Sequence, residues 1–342
     1  MQRYITFGEI MLRLKAPHQE RLFQTPYLEA TFGGGEANVA VGLAQFGLRA
    51  AFVSVIPDNA VGSACVKELQ KQGVDTSFIL RAGERLGIYF LEPGANQRPS
   101  KVIYDRSHSA ISSALSGDVD WKRVFENATW FHISGITPAI SQSAADLSME
   151  AVRQARDMGI TVSCDLNFRK KLWRYGKTAP EVMREIVQYV DVAVGNEEDC
   201  QRALGIKADV EIESGILEVE KYRTLTERVL EQFPNLNHVA ITLRESHSAN
   251  HNGWSAVMND GRDFFVSKQY DVRNIVDRVG TGDTFAAGLI YGLNNLENQA
   301  KALQFAVAAS CLKHSIPGDL PLLSVEEVNN LVQGSVSGRV QR

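Results

Sequence analysis

The chain has 342 residues, 44% hydrophobic and 22% charged, with a formal net charge of −4 at pH 7. That composition is the one of an ordinary soluble globular protein, long enough for one large domain with an appendage or for two. The small negative balance gives no support for nucleic acid or an anionic membrane as the main partner, and apolar runs such as 275–293 are broken well short of a membrane span.

In chain order, residues 5–12 and 50–55 read as core strands, with helices over 36–46 and 60–72. Residues 87–92 and 101–105 alternate like a half-exposed antiparallel pair, joined through the polar stretch GANQRPS. With 12–15 and 28–32 they predict a small second sheet, built from segments near 12–33 and 86–107, that acts as a lid. Past residue 110 the pattern changes. Residues 130–134, 161–165, 190–194 and 238–242 are short buried strands, and 143–158, 180–189, 197–204 and 224–232 are helices between them. Helices over 283–293 and 298–313 follow. This alternation predicts an α/β fold with a mostly parallel central sheet and helices on both faces. Residues 1–334 are expected to form one domain, and 335–342 a mobile tail.

The N-terminal MQRYITFGEIMLRLKAP is interrupted by Glu9 and Arg13 and lacks a signal-peptide pattern. Cys65, Cys164, Cys200 and Cys311 are scattered without a CxxC, so neither a zinc site nor a disulfide framework is indicated. A cytoplasmic location follows as the expectation.

Three segments compete as a phosphate-binding loop. YGKT at 175–178 has the Gly-Lys-Thr of a P-loop, but Lys171 stands where that motif needs its first glycine. GGGEAN at 33–38 and GTGDTF at 280–285 both miss the last glycine of GxGxxG, which argues against a Rossmann dehydrogenase. What remains is a pair of glycine-rich turns, each opening a helix. One carries Glu36 and Asn38, groups suited to sugar hydroxyls. The other carries Asp283, which either caps a helix or stands over Thr281 and Gly282 amides aimed at an anion.

Together, FGGGEANVAVGLAQFG (32–47) and Asp277-Arg-Val-Gly-Thr-Gly-Asp283 resemble the two signatures of the PfkB, or ribokinase, family of sugar kinases, with the likeness running to about Val332. The resemblance implies a ribokinase-like α/β sheet sandwich with a small β lid. It makes Asp283 the catalytic base and Gly280, Thr281 and Gly282 the anion hole for the transferred phosphate. ATP and Mg2+ are implied as cofactors, and a monovalent cation such as K+ beside Asp277 is left open. A carboxylate at a helix N-terminus should have a depressed pKa. For a loose phosphoryl-transfer transition state that is tolerable, because the proton leaves late.

Two departures from the family pattern concern the nucleotide side. The family's N-x-x-E becomes Asn196-Glu-Glu-Asp199, so either Glu198 or Asp199 would reach the metal through water. Residues 241–254 replace a lysine-x-glycine stretch with Thr242, Arg244 and a longer polar loop, in which Arg244 contacts phosphate or pairs with Glu245. Asn167, Asn196, Thr242, Arg244, Gly280 and Gly282 are the implied ATP contacts.

Arg106 in KVIYDR and Arg169 in CDLNFR offer planar forks that match a carboxylate. With Tyr89 and GGGEAN they resemble the 2-keto-3-deoxygluconate kinases within the family. Gly34, Asn38, Tyr89, Tyr104, Arg106 and Arg169 are then expected to hold a sugar acid, with the 6-phosphate as product for an aldolase of hexuronate or Entner–Doudoroff catabolism. The alternatives are a kinase of neutral sugars such as fructose or ribose, and a non-catalytic sugar or nucleotide sensor on the same fold. Apolar positions Ile88, Phe90, Val102 and Tyr104 would pair lids in a homo-oligomer.

Overall fold

The computed structural model describes residues 2–206 and 219–334; the expected tail at 335–342 lies outside them. Its strands are β1 (Arg3–Phe7), β2 (Met11–Lys15), β3 (Glu29–Gly33), β4 (Ala50–Ile56), β5 (Ile79–Arg81), β6 (Gly87–Glu92), β7 (Lys101–Asp105), β8 (Ala128–Ser134), β9 (Thr161–Asp165), β10 (Val192–Gly195), β11 (His238–Ser248), β12 (His251–Asn259), β13 (Phe264–Val266) and β14 (Tyr270–Arg273). The helices are α1 (Gly35–Gln45), α2 (Ala60–Lys71), α3 (Trp121–Val124), α4 (Thr137–Ile140), α5 (Gln142–Asp157), α6 (Ala179–Val187), α7 (Glu197–Leu204), α8 (Val219–Gln232), α9 (Thr281–Asn295), α10 (Gln299–Lys313) and α11 (Val325–Val332).

The main sheet runs β13-β12-β11-β10-β9-β8-β1-β4-β5, with β14 also on β12. From β11 to β5 every neighbouring pair is parallel; β12 turns antiparallel to β11, and β13 and β14 to β12. Side chains alternate across a strand, so each inner strand feeds two cores. Ile5 and Phe7 of β1 join Ala51, Val53 and Val55 of β4 on one face. Tyr4 joins Ala50, Phe52 and Ile56 on the other, under α1, α9 and α10. Helix ends follow local rules: Ser141 accepts from the Ala144 N–H at 3.1 Å to start α5, and Thr178 with Glu181 forms a capping box at α6.

The second sheet has the order β3-β2-β6-β7. Met11, Tyr89 and Leu91 bury its inner face, while Ile103 of β7 stays exposed. The expected strand over 5–12 divides here. β1 enters the main sheet and β2 the small one, so the chain changes sheets at Gly8–Ile10. The loop expected within 241–254 is instead the hairpin of β11 and β12. Its polar outer half pairs in register, Arg244 with Trp254 and Glu245 with Gly253. Strands β12 to β14 and helix α11 had no expectation.

Candidate active site

A cleft of about 690 Å³ opens between the small sheet and the carboxyl ends of the parallel strands, where open α/β sheets place ligands. Met11, Tyr89 and Tyr104 line it from the small sheet; Gly33, Gly34, Gly35 and Asn38 line it from the entry to α1. Asp165, Asn167 and Arg169 follow β9, and Asn196 and Asp199 follow β10. Thr242 and Arg244 come from β11, and Gly280, Thr281, Gly282 and Asp283 close the floor.

The floor is built by backbone. Gly280 sits at φ 84° as the N-cap of α9, and a Cβ there would meet the Asp319 carbonyl at 2.1 Å. That left-handed turn is open to glycine at little cost. At the start of α9, the N–H groups of Thr281, Gly282 and Asp283 have no intrahelical acceptor, and a Cβ on Gly282 would meet nothing within 4 Å. The turn can therefore present several amides to an anion.

Asp283 faces α1 across this floor. Asn38 Nδ2 donates to Asp283 Oδ2 at 2.6 Å, and Asn38 Oδ1 accepts from the Gly34 N–H at 3.3 Å. Close helix packing makes the contact: a Cβ on Gly42 of α1 would come within 2.7 Å of the Ala287 Cβ on α9. The expectation of a depressed Asp283 pKa is overturned. Burial raises it to about 7, with Asp319 and Glu36 adding like charge, and the Asn38 bond and Arg169 pulling back. Desolvation outweighs the helix dipole here.

Glu36, expected to meet sugar hydroxyls, points the other way. It is buried and accepts from the hydroxyls of Ser134 (2.7 Å) and Thr137 (2.8 Å) and from the Ser134 N–H (3.1 Å), fastening α1 to the end of β8. Asp199 is also committed to backbone: its Oδ1 accepts from the Phe168 N–H at 2.7 Å and its Oδ2 from the Asn196 N–H at 2.9 Å. Asn196 caps the same helix through the Asp199 N–H at 2.9 Å. Thr242 Oγ1 is turned toward the Gly195 carbonyl at 3.4 Å. Glu198 is exposed at the rim.

Asp165 was not singled out from the sequence, although it opens the DLNFR stretch. It is buried, and its pKa is raised well above the ordinary value by that burial and by the charges of Asp199 and Asp283. It accepts from the Asn167 N–H (3.1 Å) and Nδ2 (3.2 Å), and Asn167, which lines the cleft, sits at the strained φ of 34°.

The small sheet is tied to the floor by a second unanticipated acid. Tyr89 donates its hydroxyl to Asp319 at 2.6 Å, and Asp319 pairs with the buried Arg13, which also donates to Asp277 Oδ2 at 2.5 Å. Nothing in PGDLP marks Asp319 beforehand. Of the two arginines expected to converge, Arg169 lines the cleft and is exposed to it. Arg106 is buried below the rim, pairs with Glu9 and lies over the Tyr104 ring at 5.6 Å. Its neighbour Asp105 takes Arg85 at 3.0 Å instead. Arg244 lines the cleft close enough for its charge to lower the Glu197 pKa, and Glu245 accepts from Gln269 at 2.9 Å.

Known proteins resemble this chain over nearly its whole length. Residues 1–321 match the family described as pfkB family carbohydrate kinase. The 2-dehydro-3-deoxygalactonokinase of Haloferax volcanii is 30% identical, over 98% of both chains. The 2-dehydro-3-deoxygluconokinase of Bacillus subtilis is 27% identical, over 94% of this chain and 93% of that one. The crystal structure of 2-dehydro-3-deoxygluconokinase from Thermotoga maritima superposes with a TM-score of 0.92 at 47% identity, covering 98% of this chain and all of that one, 100%. The chain belongs to the pfkB family of carbohydrate kinases.

Proposed function

We propose that this carbohydrate kinase transfers the terminal phosphoryl group of ATP to O6 of 2-keto-3-deoxygluconate. The observation that carries the reading is Asp283, with a pKa raised to about 7, standing beside the open first turn of α9 at the floor of the cleft. In this reading Asp283 orients the sugar hydroxyl and takes its proton as the new O–P bond forms. The bond from the transferred phosphorus to the oxygen retained by ADP breaks, and the Gly280–Asp283 amides hold the charge of the group in flight. The identity of the sugar is supported by the 2-dehydro-3-deoxygluconokinase of Thermotoga maritima, to which the chain is more similar than to the galactonokinase of Haloferax.

On the sugar side, Arg169 meets the substrate carboxylate, and Gly34, Asn38, Tyr89 and Tyr104 shape the rest of the pocket. Arg106 contributes by holding Tyr104 and Glu9. On the nucleotide side, Asn167, Asn196, Thr242 and Arg244 line the phosphate path. Among the described residues no group of three or more His, Cys, Asp or Glu side chains could hold a metal ion. Magnesium would come with the nucleotide phosphates, with Glu198 and Asp199 acting through water; when bound, it neutralises phosphate charge.

Residues 1–334 act as one kinase unit, the small sheet serving as its lid. Phe23, Tyr27 and Ile103 are exposed near or on that sheet, which supports pairing of two lids in a homo-oligomer. No helix among the described residues is long and apolar enough to cross a membrane, and the cytoplasm is the proposed location. The reading is tested by phosphorus and proton NMR of the product formed from 2-keto-3-deoxygluconate, ATP and Mg2+. A single phosphomonoester at C6 is expected; an ester elsewhere, or none, overturns it.

A further inference from the structure

A buried ammonium lies behind the floor of the cleft, unused by the reaction as described. Lys313, the last residue of α10, is 0% exposed. Its Nζ donates to the carbonyls of Ile316 at 3.1 Å and Gly318 at 2.7 Å. Burial pulls its pKa down, while the charges of Asp277, Asp319 and Asp283 hold it up, with Arg13 the opposing cation.

The turn that receives this ammonium also supports the anion-binding amides. The Gly318 N–H donates to Asp277 Oδ2 at 3.1 Å, and Asp277 Oδ1 accepts from the Val279 N–H at 3.1 Å. The His314 carbonyl accepts from the N–H groups of Val276 (2.8 Å) and Asp277 (3.3 Å). Ser310 Oγ donates to the Thr281 carbonyl at 2.7 Å, and Gly280 lies against the Asp319 carbonyl. Backbone carbonyls beside carboxylates are what a hard monovalent cation seeks. Here the carbonyls already have a cation. An added K+ seeking the Ile316 and Gly318 carbonyls would have to displace the Lys313 side chain, which is packed without solvent contact.

We propose that Lys313 is a built-in cation and a positioning residue: it holds the 313–319 turn against Asp277, fixes the Gly280–Asp283 amides, and makes the kinase independent of added monovalent cations. The inference rests on the reading of those amides as the anion hole. It concerns a residue that no substrate touches.

The test compares K+, Na+ and tetramethylammonium chlorides at matched ionic strength, measuring both turnover and MgADP affinity of the unmodified protein. Both should stay within about twofold across the salts, since screening alone acts equally in each. Lys313→Met should lower kcat by about 10²-fold, the scale of losing one anion-hole donor, and ammonium or K+ should restore at least about tenfold of it by the same electrostatic logic. Activation of the unmodified protein several-fold by K+ would overturn the proposal. So would a folded Lys313→Met variant that keeps its full rate, or one that is slow and indifferent to K+ and ammonium, which marks a purely structural role. If Lys313→Met does not fold, the salt series on the unmodified protein still decides. If no sugar is turned over at all, the proposed reaction fails, and MgADP affinity tests this proposal separately.

Discussion

Asn38 Nδ2 lies 2.6 Å from Asp283 Oδ2, joining helix α1 to helix α9 across 245 residues of sequence. The bond fixes the orientation of a carboxylate whose other oxygen, in the proposed reaction, would meet the substrate hydroxyl. Asp283→Asn keeps the shape and can still accept from Asn38, but it cannot take a proton. Its kcat should fall by about 10² to 10⁴, the usual range for a general base, with the sugar KM nearly unchanged. Steady-state kinetics on the variant check this.

The raised pKa of Asp283 sets a pH profile. A base is active when deprotonated, so kcat/KM should rise with pH through a limb near 7. The Asn38 bond lowers that pKa, so Asn38→Ala should move the limb to higher pH. A pH–rate series on both proteins reads the direction, and an unmoved limb would mean that another group titrates.

The same shift has a sign for stability. Asp283 is raised above its ordinary value, so the folded state binds the proton more tightly than the unfolded chain does. Its contribution is fully favourable below the unfolded pKa of about 3.9 and is lost as pH rises through the folded value. Asp283→Asn should therefore melt above the unmodified protein at pH 8, with the gap narrowing at pH 5. Thermal unfolding at the two pH values measures it.

Two glycines of one turn should respond differently. Gly280→Ala forces a left-handed φ on alanine, costing about 1–2 kcal/mol, and drives its Cβ into the Asp319 carbonyl. Both melting temperature and kcat should drop. Gly282→Ala meets nothing within 4 Å, so it should melt close to the unmodified protein. Any loss of rate there would come from crowding the phosphate.

Much of this was legible beforehand because the signals were local. Strand alternation gave β6 and β7, a short buried apolar run gave β9, and the glycine turns gave α1 and α9. The hidden parts depend on tertiary packing. Asp283 carries a carboxylate at a helix N-terminus, yet its pKa is set by burial that a sequence does not display. Glu36 stands two residues from Asn38 on α1, so it faces Ser134 while Asn38 faces the cleft. Arg106 found Glu9, 97 residues away, and Asp319 reached Tyr89 across 230. The polar outer half of β11 read as a loop because its side chains stay exposed or half-buried and its pairing partner, β12, meets it only when the hairpin closes.

The most direct test of the central claim is kcat/KM for ADP release with Mg2+ over 2-keto-3-deoxygluconate, 2-keto-3-deoxygalactonate, gluconate, fructose and ribose, repeated with Arg169→Ala. A strong preference for a keto-deoxy acid is expected, reduced by about tenfold or more in the variant through loss of a charge-assisted contact, with neutral sugars little affected. Preference for fructose or ribose, or an Arg169→Ala variant that keeps the sugar-acid preference, would contradict it.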